Sequence, residues 1–114
     1  MSNIQRGEVY DVMPDPSIGK EIQKKRPCVV VSANKFNALS GLSVVCPITE
    51  GKGMRADIIH IALRKGEGGC TKDSLVLCDQ VKSVDEDRLV EKRGNVMVDV
   101  MQKIDIGLRQ VLSL

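Results

Sequence analysis

The chain has 114 residues, a net charge of +2 at pH 7, 42% hydrophobic and 28% charged residues, values that fit one compact domain and exclude disordered, collagen-like and coiled-coil chains. One Tyr, one Phe and no Trp leave too few rings for the stacking platforms of RRM or OB-type single-strand binders. Cysteines at 28, 46, 70 and 78 include no CxxC pair and His60 stands alone, so zinc-finger and zinc-ribbon spacings are absent and no metal or cofactor is expected.

The stretch from Met1 to Gly7 has no apolar run, and no segment approaches the roughly 18 apolar residues needed to span a bilayer. A cytoplasmic protein with reduced thiols is expected, with Cys28 and Cys46 as small core side chains.

In chain order, Glu8 to Met13 predicts a first strand, stopped by Pro14-Asp15-Pro16, whose prolines cannot donate to a ladder. Ser17 to Lys25 lacks a period of 2 or 3.6 and reads as an exposed loop. Cys28 to Val31 and Leu42 to Ile48 are apolar without alternation, the pattern of strands covered on both faces, and are expected at the centre of the sheet. Between them Asn34 to Asn37 predicts one helical turn, capped by Asn34 and anchored in the core by Phe36.

Glu50 to Arg55 and Lys65 to Cys70 read as glycine-containing loops flanking a strand from Asp57 to Leu63. Ser74 to Cys78, Val81 to Val84 and Leu89 to Arg93 predict further short strands, with Gly94-Asn95 as a turn. From about Val98, Met101, Ile104, Leu108, Val111 and Leu112 recur at three and four and predict an amphipathic helix packed on the sheet. Gly107 within it costs about 1 kcal/mol relative to Ala and argues against an unbroken rod. Short strands followed by one helix predict a single domain over 1–114: mainly β, a small antiparallel barrel with a C-terminal helix.

Positive charge is local. Lys20, Lys24, Lys25, Arg26 and Lys35 face only Glu21 within 20–35, and Lys52, Arg55, Arg64, Lys65 and Lys72 outnumber Asp57 and Glu67 within 52–72, whereas 85–109 is nearly balanced. Such loops can track phosphates, although solvated surface charge looks the same in a sequence. Pro27 restricts the backbone of Arg26, and a fixed guanidinium suits a phosphate that gains charge during reaction. Thr49 follows the other central strand. If the two strands are neighbours, it lies beside Arg26; strand-end threonines also serve simply as turn formers.

The ordered set Arg6-Gly7-Glu8-Val9-Tyr10, Asp15-Pro16, Gly19, Glu21, Arg26-Pro27-Cys28-Val29-Val30-Val31, Phe36-Asn37, Pro47-Ile48-Thr49, Asp79-Gln80-Val81-Lys82-Ser83-Val84-Asp85 and Arg88-Leu89 resembles the MazF/PemK family of toxin endoribonucleases. The resemblance runs from residue 6 to the C-terminal helix. It implies an SH3-like barrel, a homodimer, a cognate antitoxin, and metal-independent cleavage of single-stranded RNA through the substrate's own 2′-hydroxyl, leaving 2′,3′-cyclic phosphate and 5′-hydroxyl ends.

The family's catalytic arginine falls on Arg26, its threonine on Thr49, and Glu21 matches an acidic loop residue implicated in some members. Lys20, Lys24, Lys25, Lys52 and Arg55, with Gln80, are the candidate RNA-contacting residues. Ile22 and Lys24-Lys25 depart from the Gln and Gly-rich approach of many members, and Leu77 stands where some plasmid-borne members have Arg. Asp79 and Gln80 are therefore expected to form a hydrogen-bonding scaffold at the barrel edge, Cys78 to pack, and His60 to have no catalytic part. The alternative is a non-catalytic gyrase poison of the CcdB type, which this chain resembles less because it lacks their C-terminal Trp and ends Val111-Leu112-Ser113-Leu114. A polyproline-binding SH3-like adaptor would need an aromatic groove that Tyr10 and Phe36 alone do not supply.

Overall fold

A computed structural model describes residues 3–14 and 25–114. Seven strands and two helices follow one another as β1 (Glu8–Val12), β2 (Arg26–Val30), α1 (Asn34–Ser40), β3 (Leu42–Thr49), β4 (His60–Leu63), β5 (Ser74–Leu77), β6 (Lys82–Asp85), β7 (Leu89–Asn95) and α2 (Val98–Leu112). The loop expected over Ser17–Lys25 lies, Lys25 excepted, outside the described residues.

All strand pairs are antiparallel. The order across the sheet is β4-β5-β3-β2-β1-β7, with β6 also on β3, so the two apolar runs do form its centre. β3 is shared: residues 42–45 pair with β6, whereas Ile48 and Thr49 pair with β5. Pro47, which has no N–H to donate, lies between those two pairings. Alternate residues of the central strands feed two cores. Val29, Cys46 and Ile48 join Val9, Ile61, Leu63, Val76 and, from α2, Val100 and Ile104. Cys28, Val30 and Val45 join Ile4, Val12 and Val84. This is why neither strand shows apolar–polar alternation.

The fold is mainly antiparallel β with a C-terminal helix, as expected, but the sheet is not a closed barrel. Among the described residues no ladder joins β4 to β7. A turn over 66–70 stands beside β7 instead, and glycine permits the approach: a Cβ on Gly69 would lie 2.3 Å from the Arg93 carbonyl oxygen, and one on Gly68 would lie 2.9 Å from Val9 Cγ2. Gly94, expected as a turn, is part of β7 and meets the same glycines: a Cβ there would lie 3.0 Å from the Gly69 backbone nitrogen.

Three local expectations are corrected. Asn34 does not cap α1; the N-cap is Ala33, and the Asn34 side chain instead accepts the Arg6 backbone N–H at 2.6 Å. Phe36 is 41% exposed, and Asn37 is the buried residue of α1. Its amide donates to the carbonyls of Ile4 and Ser32, and its oxygen accepts from the Ser32 hydroxyl. The strand expected from Asp57 begins only at His60 because Asp57 Oδ1 accepts the N–H groups of Ile59 and His60, closing a turn.

Helix α2 runs unbroken through Gly107. Val111 and Leu112 are exposed rather than packed on the sheet. The Arg6 side chain ties the end of β2 to this helix through the Val31 carbonyl and Asp105. All four cysteines are buried and free, and burial pushes the Cys28 thiol up to about 11, which keeps it protonated.

Candidate active-site cleft

Arg26 opens β2 and Thr49 closes β3, so the candidate arginine is part of a strand and not only its approach. The ladder pairs Cys28 with Pro47, and two further residues outward on each strand are Arg26 and Thr49. Both line a cavity of about 320 Å³, together with Pro27, Glu50, Lys72 and Arg93, at the small end of ligand clefts. Arg26 is exposed, Thr49 half-buried, and among the described residues no carboxylate pairs with the Arg26 guanidinium.

Thr49 Oγ1 is held near the cleft by the turn that follows β3, where it lies 3.5 Å from the Gly51 backbone N–H. Gly51 has φ +64, a conformation that favours glycine, and a Cβ there would come within 2.9 Å of Leu75 Cδ1, which would have to give way. The other cations of the cleft are partnered. Lys72 Nζ lies 3.7 Å from Glu50, and Arg93 Nη1 lies 3.2 Å from Asp11 Oδ1.

The structure brings together Arg26 and Thr49. It leaves Lys25, Lys52, Arg55 and Gln80 exposed and outside the cavity lining. Glu21, Lys20 and Lys24 lie outside the described residues. Asp79 Oδ1 is 3.4 Å from His60 Nε2, while His60 Nδ1 lies 3.0 Å from Asp57. The Asp57 carboxylate, reinforced by Asp79, holds the imidazole above its ordinary value. Cys78 is fully buried packing, as expected. Among the described residues no group of three or more His, Cys, Asp or Glu is placed to hold a metal ion.

Sequence reasoning missed Arg93 in the cleft. It sits in a segment whose charges nearly cancel, and a charge count sees neither the turn that reaches it nor the cavity it faces.

A mainly β fold whose central strands present an arginine and a threonine to one basic cleft is a frame for handling a phosphate. Its class follows from comparison with known proteins. The sequence profile of the PemK-like, MazF-like toxins of type II toxin-antitoxin systems matches residues 5–112, and the chain belongs to that family. It is 31% identical over 109 residues to the endoribonuclease MazF of Staphylococcus epidermidis, covering 92% of this chain and 91% of that protein. It is 28% identical over 111 residues to the endoribonuclease EndoA of Bacillus subtilis (strain 168), covering 97% and 96%. Among solved structures, a mycobacterial endoribonuclease in complex with its cognate antitoxin superposes with a TM-score of 0.77 at 25% identity, covering 97% of this chain and 96% of that one.

Proposed function

We propose that this MazF-type toxin endoribonuclease cleaves single-stranded RNA in the Arg26–Thr49 cleft without a metal. The observation that carries the reading is the meeting of an arginine, without a carboxylate partner among the described residues, with a threonine hydroxyl at the ends of two neighbouring central strands, within a family whose named relatives are endoribonucleases.

The 2′-hydroxyl attacks the adjacent phosphorus and loses its proton to a base; a 2′,3′-cyclic phosphate forms as the bond to the 5′-oxygen breaks, and that oxygen takes up a proton from solvent and leaves as a hydroxyl. The Arg26 guanidinium neutralises the phosphorane, which carries more charge than the ground-state diester, so its hydrogen bonds strengthen as the barrier is climbed. Thr49 donates to a non-bridging oxygen. Glu21 is the proposed base for the 2′-hydroxyl. Lys20, Lys24, Lys25, Lys52 and Arg55, with Gln80, are proposed to guide the strand toward the cleft by its phosphates.

Purified protein in EDTA should cut a long RNA, and a 2′-deoxy substitution just 5′ of the cut should abolish cleavage at that site. Arg26→Ala should slow cleavage by about 10²-fold or more, with Thr49→Ala similar or milder. Wild-type rates in both variants would place the chemistry elsewhere. A protein that cuts no RNA would favour the CcdB-type poison.

A further inference from the structure

The least expected member of the cleft is Arg93, which comes from β7, at the opposite end of the strand order from β4 and separated from β2 by β1. Its position is built from two sides. Nη1 donates toward both carboxylate oxygens of Asp11, at 3.2 and 3.4 Å, and Nη2 donates to the Gly69 carbonyl at 3.2 Å. The Gly69 carbonyl is in reach only because Gly68, Gly69 and Gly94 let the 66–70 turn touch the β7 backbone. Asp11 lies on β1 opposite Pro27, the neighbour of Arg26, and its side chain is only 13% exposed.

A guanidinium has five N–H donors, and these three contacts occupy at most three of them. Among the described residues, donors therefore remain on a group that is 32% exposed, anchored to two partners and part of the same cavity as Arg26 and Thr49. An arginine whose only task was to neutralise Asp11 would not need the second anchor from Gly69 or a place in the cleft lining. Planar, fixed donors beside a cavity are what recognition of a phosphate oxygen requires, and an arginine fixed in advance loses little freedom when the phosphate arrives.

We propose that Arg93 is a second phosphate-binding residue of the cleft, gripping a phosphate of the RNA strand other than the one cut at Arg26, and that Asp11 is the residue that positions it. The inference rests on the cleft being the RNA site. It also assigns Asp11 a limiting role: its negative charge weakens the pull of Arg93 while it orients the fork.

The test is binding of a fluorescent, mixed-sequence single-stranded RNA carrying 2′-O-methyl groups throughout, which cannot be cut, measured over a series of salt concentrations. Arg93→Gln should weaken binding about tenfold, the scale of a charge-assisted hydrogen bond, and Arg93→Lys should restore it only in part because the fork is lost. Asp11→Asn keeps an oxygen to orient the guanidinium but unmasks its charge, so it should bind RNA more tightly and with a steeper salt dependence. Both Arg93→Gln and Asp11→Asn break the same ion pair. A purely structural pair predicts that both weaken binding alike, and that outcome would overturn the proposal.

Should Arg93→Gln fail to fold, the double variant with Asp11→Asn, which leaves no unpaired charge, is compared with Asp11→Asn alone, and the same loss is expected. Undiminished binding in Arg93→Gln while Arg26→Ala binds weakly would remove only the second subsite. Undiminished binding in both would remove the cleft as the RNA site, and this proposal with it.

Discussion

Gly107 shows how a residue that is poor for a helix can be the right one for a fold. By propensity an alanine there would gain about 1 kcal/mol. A Cβ at this position, however, would stand 2.8 Å from Cys78 Sγ and 2.8 Å from the Ile58 carbonyl oxygen, and the second of these is backbone that cannot rotate away. Gly107→Ala is therefore expected to lower the melting temperature, the overpacking cost of about 1–3 kcal/mol exceeding the gain in propensity. A thermal melt that rises would mean α2 can move off the sheet without penalty. Residue burial was legible where apolar residues run without a break: Val29, Val30, Cys46 and Ile48 are core as the sequence implies. It was not legible at Phe36 and Asn37. Nothing local reveals that an asparagine amide will bridge Ile4 to Ser32 while the adjacent ring stays out.

At the scale of elements, the entry into β4 depends on charge. Asp57 closes the turn before the strand, and its carboxylate together with that of Asp79 favours protonated His60. The pKa of His60 is raised on folding, so its contribution to stability is complete below the unfolded value of about 6.5 and is lost as pH rises through the folded one. Between about pH 6 and about pH 8.5, the melting temperature of the wild type should fall more than that of Asp57→Asn, which retains the backbone cap but not the charge. Equal falls would mean that this pairing is too well solvated to matter. Strand existence was readable from the sequence, boundaries less so. Asp57 to Ile59 carry strand-like residues, yet a side-chain hydrogen bond to the backbone competes with the ladder there and wins. Gly94 failed in the reverse direction: read as a turn, it is a strand position that another backbone approaches.

At the scale of the molecule, the two cores leave apolar side chains of α2 uncovered, with Val98 75%, Ile106 54% and Leu112 50% exposed. We propose that a second copy of the chain covers this surface, in a homodimer whose paired clefts share one RNA strand. A cognate antitoxin, the partner of the solved mycobacterial relative, is proposed to offer a carboxylate to Arg26 where RNA offers a phosphate. Titrating the protein with the product of the gene adjacent to its own, while following sedimentation and RNA binding together, should show a dimer that loses RNA as antitoxin binds. A monomer at micromolar concentration, or RNA and antitoxin bound without weakening each other, would contradict this. The family was legible because the resemblance is spread along the chain in order. The cleft was legible only at Arg26 and Thr49, which motif and strand register bring together. Arg93 reaches it through tertiary contacts, and no spacing in the sequence records those.

An unclosed sheet has free borders, and borders are where β proteins stick to one another. Among the described residues, β4 at one end of the strand order and β6, which pairs with β3 alone, are each only four residues long. The border at the far end of the order, β7, carries Glu91, Lys92 and Arg93 in succession, charges that make it a poor template for another chain, and the 66–70 turn covers it at Arg93 and Gly94. The charge that equips one face of this strand for an anionic ligand thus also protects its solubility. Replacing Lys92 and Arg93 with β-branched apolar residues would do more than change affinity: it would turn the strand into an adhesive border, with visible aggregation ahead of any loss of fold.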